Sequence, residues 1–260
     1  MHLRSLEYKT CKEDKYPYNL NVIKNLDSLE FESNVVVFVG DNGSGKSTLL
    51  RAMAKKANLI NIARSNEDYK DNGLDKYLSL SWTKQVHKGF YLSSEDFIYF
   101  INHLTEERRM LEEELKRVDR QYANRSNYAR NLAKIPFAGG LSQMDHLYKD
   151  GLDKLSHGEG YLELFSSRLV DGGIYFLDEP ETALSTTSQL AFVHMINDMR
   201  KKDCQFIIAS HSPIIMAIKD ASILFFDQDE IRPQAYEDIE QINILRDFLN
   251  NPDLYLRHLE

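Results

Sequence analysis

Between positions 40 and 47 the chain reads Gly-Asp-Asn-Gly-Ser-Gly-Lys-Ser, a glycine-rich octapeptide ending in a lysine and a hydroxyl. Glycines at 40, 43 and 45 let successive backbone N–H groups curl round a polyphosphate where side chains would block the approach. Asn42, Gly43, Ser44, Gly45, Lys46, Ser47 and Thr48 are therefore the candidate phosphate-contacting residues. Lys46, expected to stand exposed in this loop, would reach the outer phosphates, and the Ser47 hydroxyl suits a hard divalent cation. A second pair, Asp178 and Glu179, closes an apolar run. Asp178 is placed to hold that cation through water, and Glu179 to polarise an attacking water. Such a set points to the transfer of a phosphoryl group to water.

The elements that must hold these residues are legible on either side of them. Residues 35–39, Val-Val-Val-Phe-Val, read as a strand buried on both faces, and residues 49–54 have helical composition, so the loop sits between strand and helix as its motif requires. Residues 89–92, 173–177, 205–209 and 222–226 read as further strands, with a helical stretch at 188–199. Strands alternating with helices predict an α/β fold with a mostly parallel, doubly wound sheet flanked by helices. Leu104, Leu111, Leu115, Val118 and Tyr122 fall on one stripe of an amphipathic helix whose other face is charged. Residues 124–140, polar and glycine-ended, are expected to form a loop. With no internal repeat and no linker, a single domain over 1–260 is expected.

Leu155-Ser156-His157-Gly158-Glu159 precedes the acidic strand, and Ala209-Ser210-His211-Ser212-Pro213 follows it. In the order phosphate loop, signature, acidic strand and switch histidine, the sequence resembles the ATP-binding-cassette (ABC) superfamily. That resemblance implies a P-loop NTPase fold of the ABC type, with a small helical subdomain at about 96–172 inserted between the two halves of the core. It implies ATP and Mg²⁺ as cofactors, bound between two subunits of a homodimer. Ser156, Gly158 and Glu159 would contact the nucleotide of the opposite subunit, the loop Ala183-Leu184-Ser185 would be where the subunits touch, and His211 would join Glu179 as a catalytic residue that senses the γ-phosphate. Two departures stand out. His157 and Glu159 replace the glycine and glutamine usual in transporters, Glu159 being the residue that chromosome-maintenance and break-repair ATPases carry. No glutamine follows the 89–92 strand; Glu95 is the best substitute as a metal-contacting residue, with Gln85 a poorer one. Tyr16 and Tyr18 lie where an adenine-stacking aromatic would, although a core or surface tyrosine is the preferred reading.

Composition narrows the partners. With 32 Lys+Arg against 40 Asp+Glu the net charge is −8, which argues against a coat-like electrostatic hold on nucleic acid. The longest apolar run falls far short of the ~20 residues of a membrane helix, and the start lacks a signal-peptide core, so a cytoplasmic chain with no direct membrane insertion is expected. Cys11 and Cys204 are expected to be free thiols. The stretch from Ile231 to the end resembles a group of small stand-alone bacterial ABC-type ATPases related to break-repair and overcoming-lysogenization ATPases. The reading preferred from sequence is a dimerising Mg²⁺-dependent ATPase of genome maintenance or phage defence, acting on a DNA or protein partner. The alternative is the nucleotide-binding subunit of an ABC membrane transporter. Charge between 95 and 155, as in Glu106-Glu107-Arg108-Arg109 and Glu112-Glu113-Glu114, favours the first, because a transporter subunit needs an apolar groove there for its permease.

Overall fold

A computed structural model describes residues 1–62, 72–147 and 157–257. Along the chain run β1 (Leu3–Tyr8), α1 (Asn21–Lys24), β2 (Ser28–Glu30), β3 (Val35–Gly40), α2 (Lys46–Lys56), β4 (Ile60–Asn61), β5 (Leu78–Trp82) and β6 (Gly89–Ser93). They are followed by α3 (Ser94–Gln121), α4 (Asn127–Leu147), α5 (His157–Arg168), β7 (Ile174–Asp178), α6 (Thr186–Arg200), β8 (Gln205–Ala209), α7 (Pro213–Met216), β9 (Ser222–Phe226), β10 (Ile231–Pro233), α8 (Glu240–Asn250) and α9 (Pro252–Leu256).

The main sheet has the order β10-β9-β3-β8-β7-β6-β4, parallel throughout except for the edge strand β10. A smaller antiparallel sheet, β2-β1-β5, lies beside it. The β-branched run of β3 is buried at every position, as a central strand covered on both faces must be. Alternation divides its side chains. Val35, Val37 and Val39 join Phe165 of α5 and Phe192 and Ile196 of α6 in one core, while Val36 and Phe38 join Leu49, Leu50 and Met53 of α2 and Leu6 of the small sheet in the other. Truncating a fully buried ring such as Phe165 to alanine would cost about 3–5 kcal/mol. All strands of the main sheet except β10 point the same way, so the ends of β3, β6, β7 and β8 meet along one edge. The strands read at 89–92 and 173–177 each end one residue later, the second also starting one later, which draws Ser93 and Asp178 into the ladder as direct neighbours.

One expectation is corrected. Residues 124–140 are not a loop: α4 runs through them, and with α3 it forms an antiparallel hairpin tied by ion pairs of Arg108 with Asp145 and of Lys134 with Asp119 (2.7 Å). The half-buried positions Ala129, Ala133, Phe137 and Gly140 recur at helical spacing on its inner face. The glycine that looked like a stop serves close packing, since a Cβ at Gly140 would stand 3.1 Å from Leu111 Cδ1 of α3. The stripe from Leu104 to Val118 lies in α3, with Val118 buried and Leu104, Leu111 and Leu115 half-buried. Within residues 96–172 the described chain is these two helices and α5.

Candidate functional site

Gly40 ends β3 with φ +147°, and a Cβ there would stand 2.3 Å from the carbonyl oxygen of Phe226 on β9. Only glycine fits, so the chain turns out of the sheet at this point. Asp41, Asn42 and Gly43 are exposed, Ser44 N–H closes the turn on the Asp41 carbonyl (3.2 Å), and α2 starts at Lys46. Lys46 itself departs from expectation. It is not exposed in the loop but buried, its Nζ donating to the carbonyls of Gly40 and Asp41, each at 2.8 Å. Burial lowers its pKa, and the carboxylates of Glu179, Asp178, Asp41 and Glu181 oppose that effect.

Asp178 is the hub of the sheet edge. Its Oδ1 accepts a hydrogen bond from Ser47 Oγ at 2.7 Å, and its Oδ2 accepts one from Tyr91 Oη of β6 at 3.1 Å. Arg51 of α2 brings Nη2 to 3.9 Å from the same Oδ2. Burial raises the Asp178 pKa, while Ser47, Arg51 and Tyr91 pull it back. Among the described residues no group of three or more His, Cys, Asp and Glu side chains forms a metal site. Ser47 and Asp178 nonetheless fit Mg²⁺, which takes hard oxygen ligands and commonly keeps one or two protein groups beside phosphates and water.

Glu179 follows with φ +50° and ψ +49°, a left-handed conformation that costs a non-glycine residue about 1–2 kcal/mol. Bonds on both sides fix it there. Its N–H donates to the Ala209 carbonyl at 2.9 Å, its own carbonyl accepts from Thr182 N–H at 3.1 Å, and Ser94 Oγ donates to that same carbonyl. Beside it the half-buried Glu181 carboxylate accepts the His211 backbone N–H. The His211 ring has a buried Nε2 without a hydrogen-bond partner among the described residues, and burial together with the nearby Lys46 ammonium holds its pKa below the usual value. Burial raises the Glu181 pKa.

The other expected residues lie as follows. Ser156 is outside the described residues. Gly158 lies in the first turn of α5 against the segment from Ala183 to Ser188, since a Cβ there would stand 3.2 Å from Ser188 Oγ and 3.3 Å from the Ala183 carbonyl; Glu159 beside it is exposed. Glu95 is exposed in the first turn of α3, one residue past Ser94, where a carboxylate favours the helix N-terminus. Gln85 is exposed ahead of β6. Tyr18 is buried, but Tyr16 is exposed with its Oη 2.8 Å from Thr48 Oγ1, lining a cavity of about 690 Å³ together with Ser47, Asn72, Lys76 and Tyr77. Tyr91, Arg51, Ser94 and Glu181 went unnoticed in the sequence. Alternation gave one clue, because Tyr91 sits two residues before Ser93, as Phe176 does before Asp178.

The family model described as "ABC transporter" matches residues 24–182. The chain is 27% identical over 210 residues to ABC transporter I family member 1 of Arabidopsis thaliana, covering 78% of this chain and 80% of that protein. It is 26% identical over 231 residues to the glutamine transport ATP-binding protein GlnQ of Escherichia coli, covering 87% and 89%. Among solved structures, a nucleotide-free ATP-binding cassette from an ABC transporter aligns over 97% of both chains at 15% identity, with a TM-score of 0.48.

Proposed function

The chain belongs to the ABC transporter family of ATP-hydrolysing enzymes, and on that premise we propose that it is the ATP-binding subunit of a transport system whose membrane-embedded partner is a separate chain. The observation that carries this reading is the match of residues 24–182 to the family model, joined to relatives with transport names that align over most of their own length. Nothing in these comparisons supports the break-repair and overcoming-lysogenization group, so the preference for genome maintenance or phage defence is reversed. The charge that favoured it is real, but it belongs to α3, where Arg109 pairs with Glu106 at 2.6 Å and Glu113 at 2.7 Å. On α4, Tyr128, Leu132 and Ile135 are 78%, 56% and 61% exposed at steps of four and three, an apolar stripe of the kind a permease segment would cover. No helix among the described residues is long and apolar enough to cross a membrane, which suits a subunit working at the cytoplasmic face.

In this reading ATP lies between two copies of the chain. Asn42 to Thr48 hold the phosphates, Lys46 turning from the carbonyls of Gly40 and Asp41 to the outer phosphates. Ser156, Gly158 and Glu159 meet that nucleotide from the opposite copy, and 183–185 line the contact. Mg²⁺, held by Ser47 and Asp178, supplies charge neutralisation on the phosphates. Glu179, pinned by its backbone at the ends of β7 and β8, takes the proton of the attacking water, and the unpaired Nε2 of His211 is free to bond the γ-phosphate. The helices within 96–172 carry the state of the nucleotide to the partner.

A photo-crosslinking residue at Leu132, in cells of the source organism, tests the transport reading. An adduct with an integral membrane protein is expected. Adducts only with soluble proteins or nucleic acid would overturn it.

A further inference from the structure

Tyr91 reaches the acidic end of β7 from the neighbouring strand. It is fully buried and faces Phe176 in register, so its side chain shares a sheet face with Asp178 two residues on. Its hydroxyl donates to Asp178 Oδ2 at 3.1 Å, while Oδ1 accepts from Ser47 at 2.7 Å. Arg51, one turn beyond Ser47 on α2, donates from Nε to the Tyr91 oxygen at 3.3 Å. The two carboxylate oxygens are thus divided, one tied into the sheet and one turned to the phosphate loop.

A carboxylate turns easily about its last torsion, which has broad wells. A donor fixed in the core selects one orientation, as partners behind metal ligands commonly do. We propose that Tyr91, backed by Arg51, is a positioning residue that holds Oδ2 of Asp178 so that Oδ1 faces Ser47 and the divalent cation. The inference rests on the reading of Ser47 and Asp178 as the protein ligands of that cation. No aliphatic side chain at 91 would do this, because it would leave Oδ2 buried without the donor that now satisfies it.

Tyr91→Phe removes the hydroxyl and keeps the ring. Its effect is read as the Mg²⁺ dependence of binding of a non-hydrolysable ATP analogue by calorimetry, and as the electron paramagnetic resonance spectrum of Mn²⁺ bound with that analogue. The expected result is a roughly tenfold higher Mg²⁺ requirement and an altered Mn²⁺ spectrum, with metal-free analogue binding unchanged. Arg51→Met should move both readouts in the same direction by less, and Arg51→Lys should restore part of the loss. Asp178→Asn separates the two layers of the inference. If Asp178→Asn raises the Mg²⁺ requirement while Tyr91→Phe and Arg51→Met behave as the parent, the positioning role is overturned. If Asp178→Asn itself leaves the metal dependence unaltered, the ligand assignment fails, and the role of Tyr91 falls with it.

Discussion

Ser47 and Asp178, 131 residues apart in the chain, are joined by a 2.7 Å hydrogen bond from the Ser47 hydroxyl to Oδ1 of the carboxylate. The bond ties the first turn of α2 to the end of β7, so the two oxygens suited to a divalent cation are neighbours by virtue of the fold. The charged groups around them, Lys46, Glu179 and Glu181, act on one another through the same small volume.

Lys46→Ala removes an ammonium that donates to the carbonyls of Gly40 and Asp41 and, at 3.4 Å, to Ser44 Oγ. A hydrogen bond to a charged group contributes about 1.5–3 kcal/mol, so ATP affinity should fall roughly 10- to 150-fold by calorimetry. The variant should fold, with stability to denaturant lowered by about 1–3 kcal/mol for the carbonyls left without a donor. Unchanged ATP affinity would sink the assignment of this loop.

The second prediction concerns assembly. Gly158 packs against Ala183 and Ser188 of its own subunit, and in the proposed reading the signature segment meets the nucleotide of a second copy. Light scattering on Glu179→Gln with ATP should report a dimer, and adding Ser156→Arg should return it to monomer. A dimer that survives the second substitution would refute the shared site.

How far these residues could be found without coordinates depended on how local their signal was. The phosphate loop, the carboxylates at the end of β7 and the five strands around them announce themselves within a few residues, through glycine spacing and apolar runs. Tyr91, Arg51 and Ser94 do not, because each acts across the register of parallel strands or between helix and sheet, and nothing in the chain states that Ser93 will stand opposite Asp178. The error at 124–140 had a different origin. Gly139 and Gly140 read as a terminus when the real reason for Gly140 is the approach of Leu111 from another helix.

His211 gives a pH dependence with a defined sign. Burial first, and the Lys46 charge second, hold its folded pKa below 6.5, so the unfolded chain binds a proton that the folded one refuses. The contribution is present above pH 6.5 and is lost as pH falls from there through the folded value. Denaturant midpoints at pH 7.5 and 5.5 should therefore differ more for the parent than for His211→Gln. Equal differences for the two proteins would remove His211 from the explanation.

The most direct measurement is phosphate release from ATP and Mg²⁺, followed over a range of protein concentrations for the parent beside Glu179→Gln. Loss of a group that handles the attacking water lowers turnover by roughly 10²- to 10⁴-fold while binding persists. The expected result is a rate per chain that rises with concentration in the parent, as two copies complete each site, and that nearly vanishes in Glu179→Gln at undiminished ATP affinity. A rate per chain that is independent of concentration and the same in both proteins would contradict a hydrolytic site completed by Glu179 between two subunits.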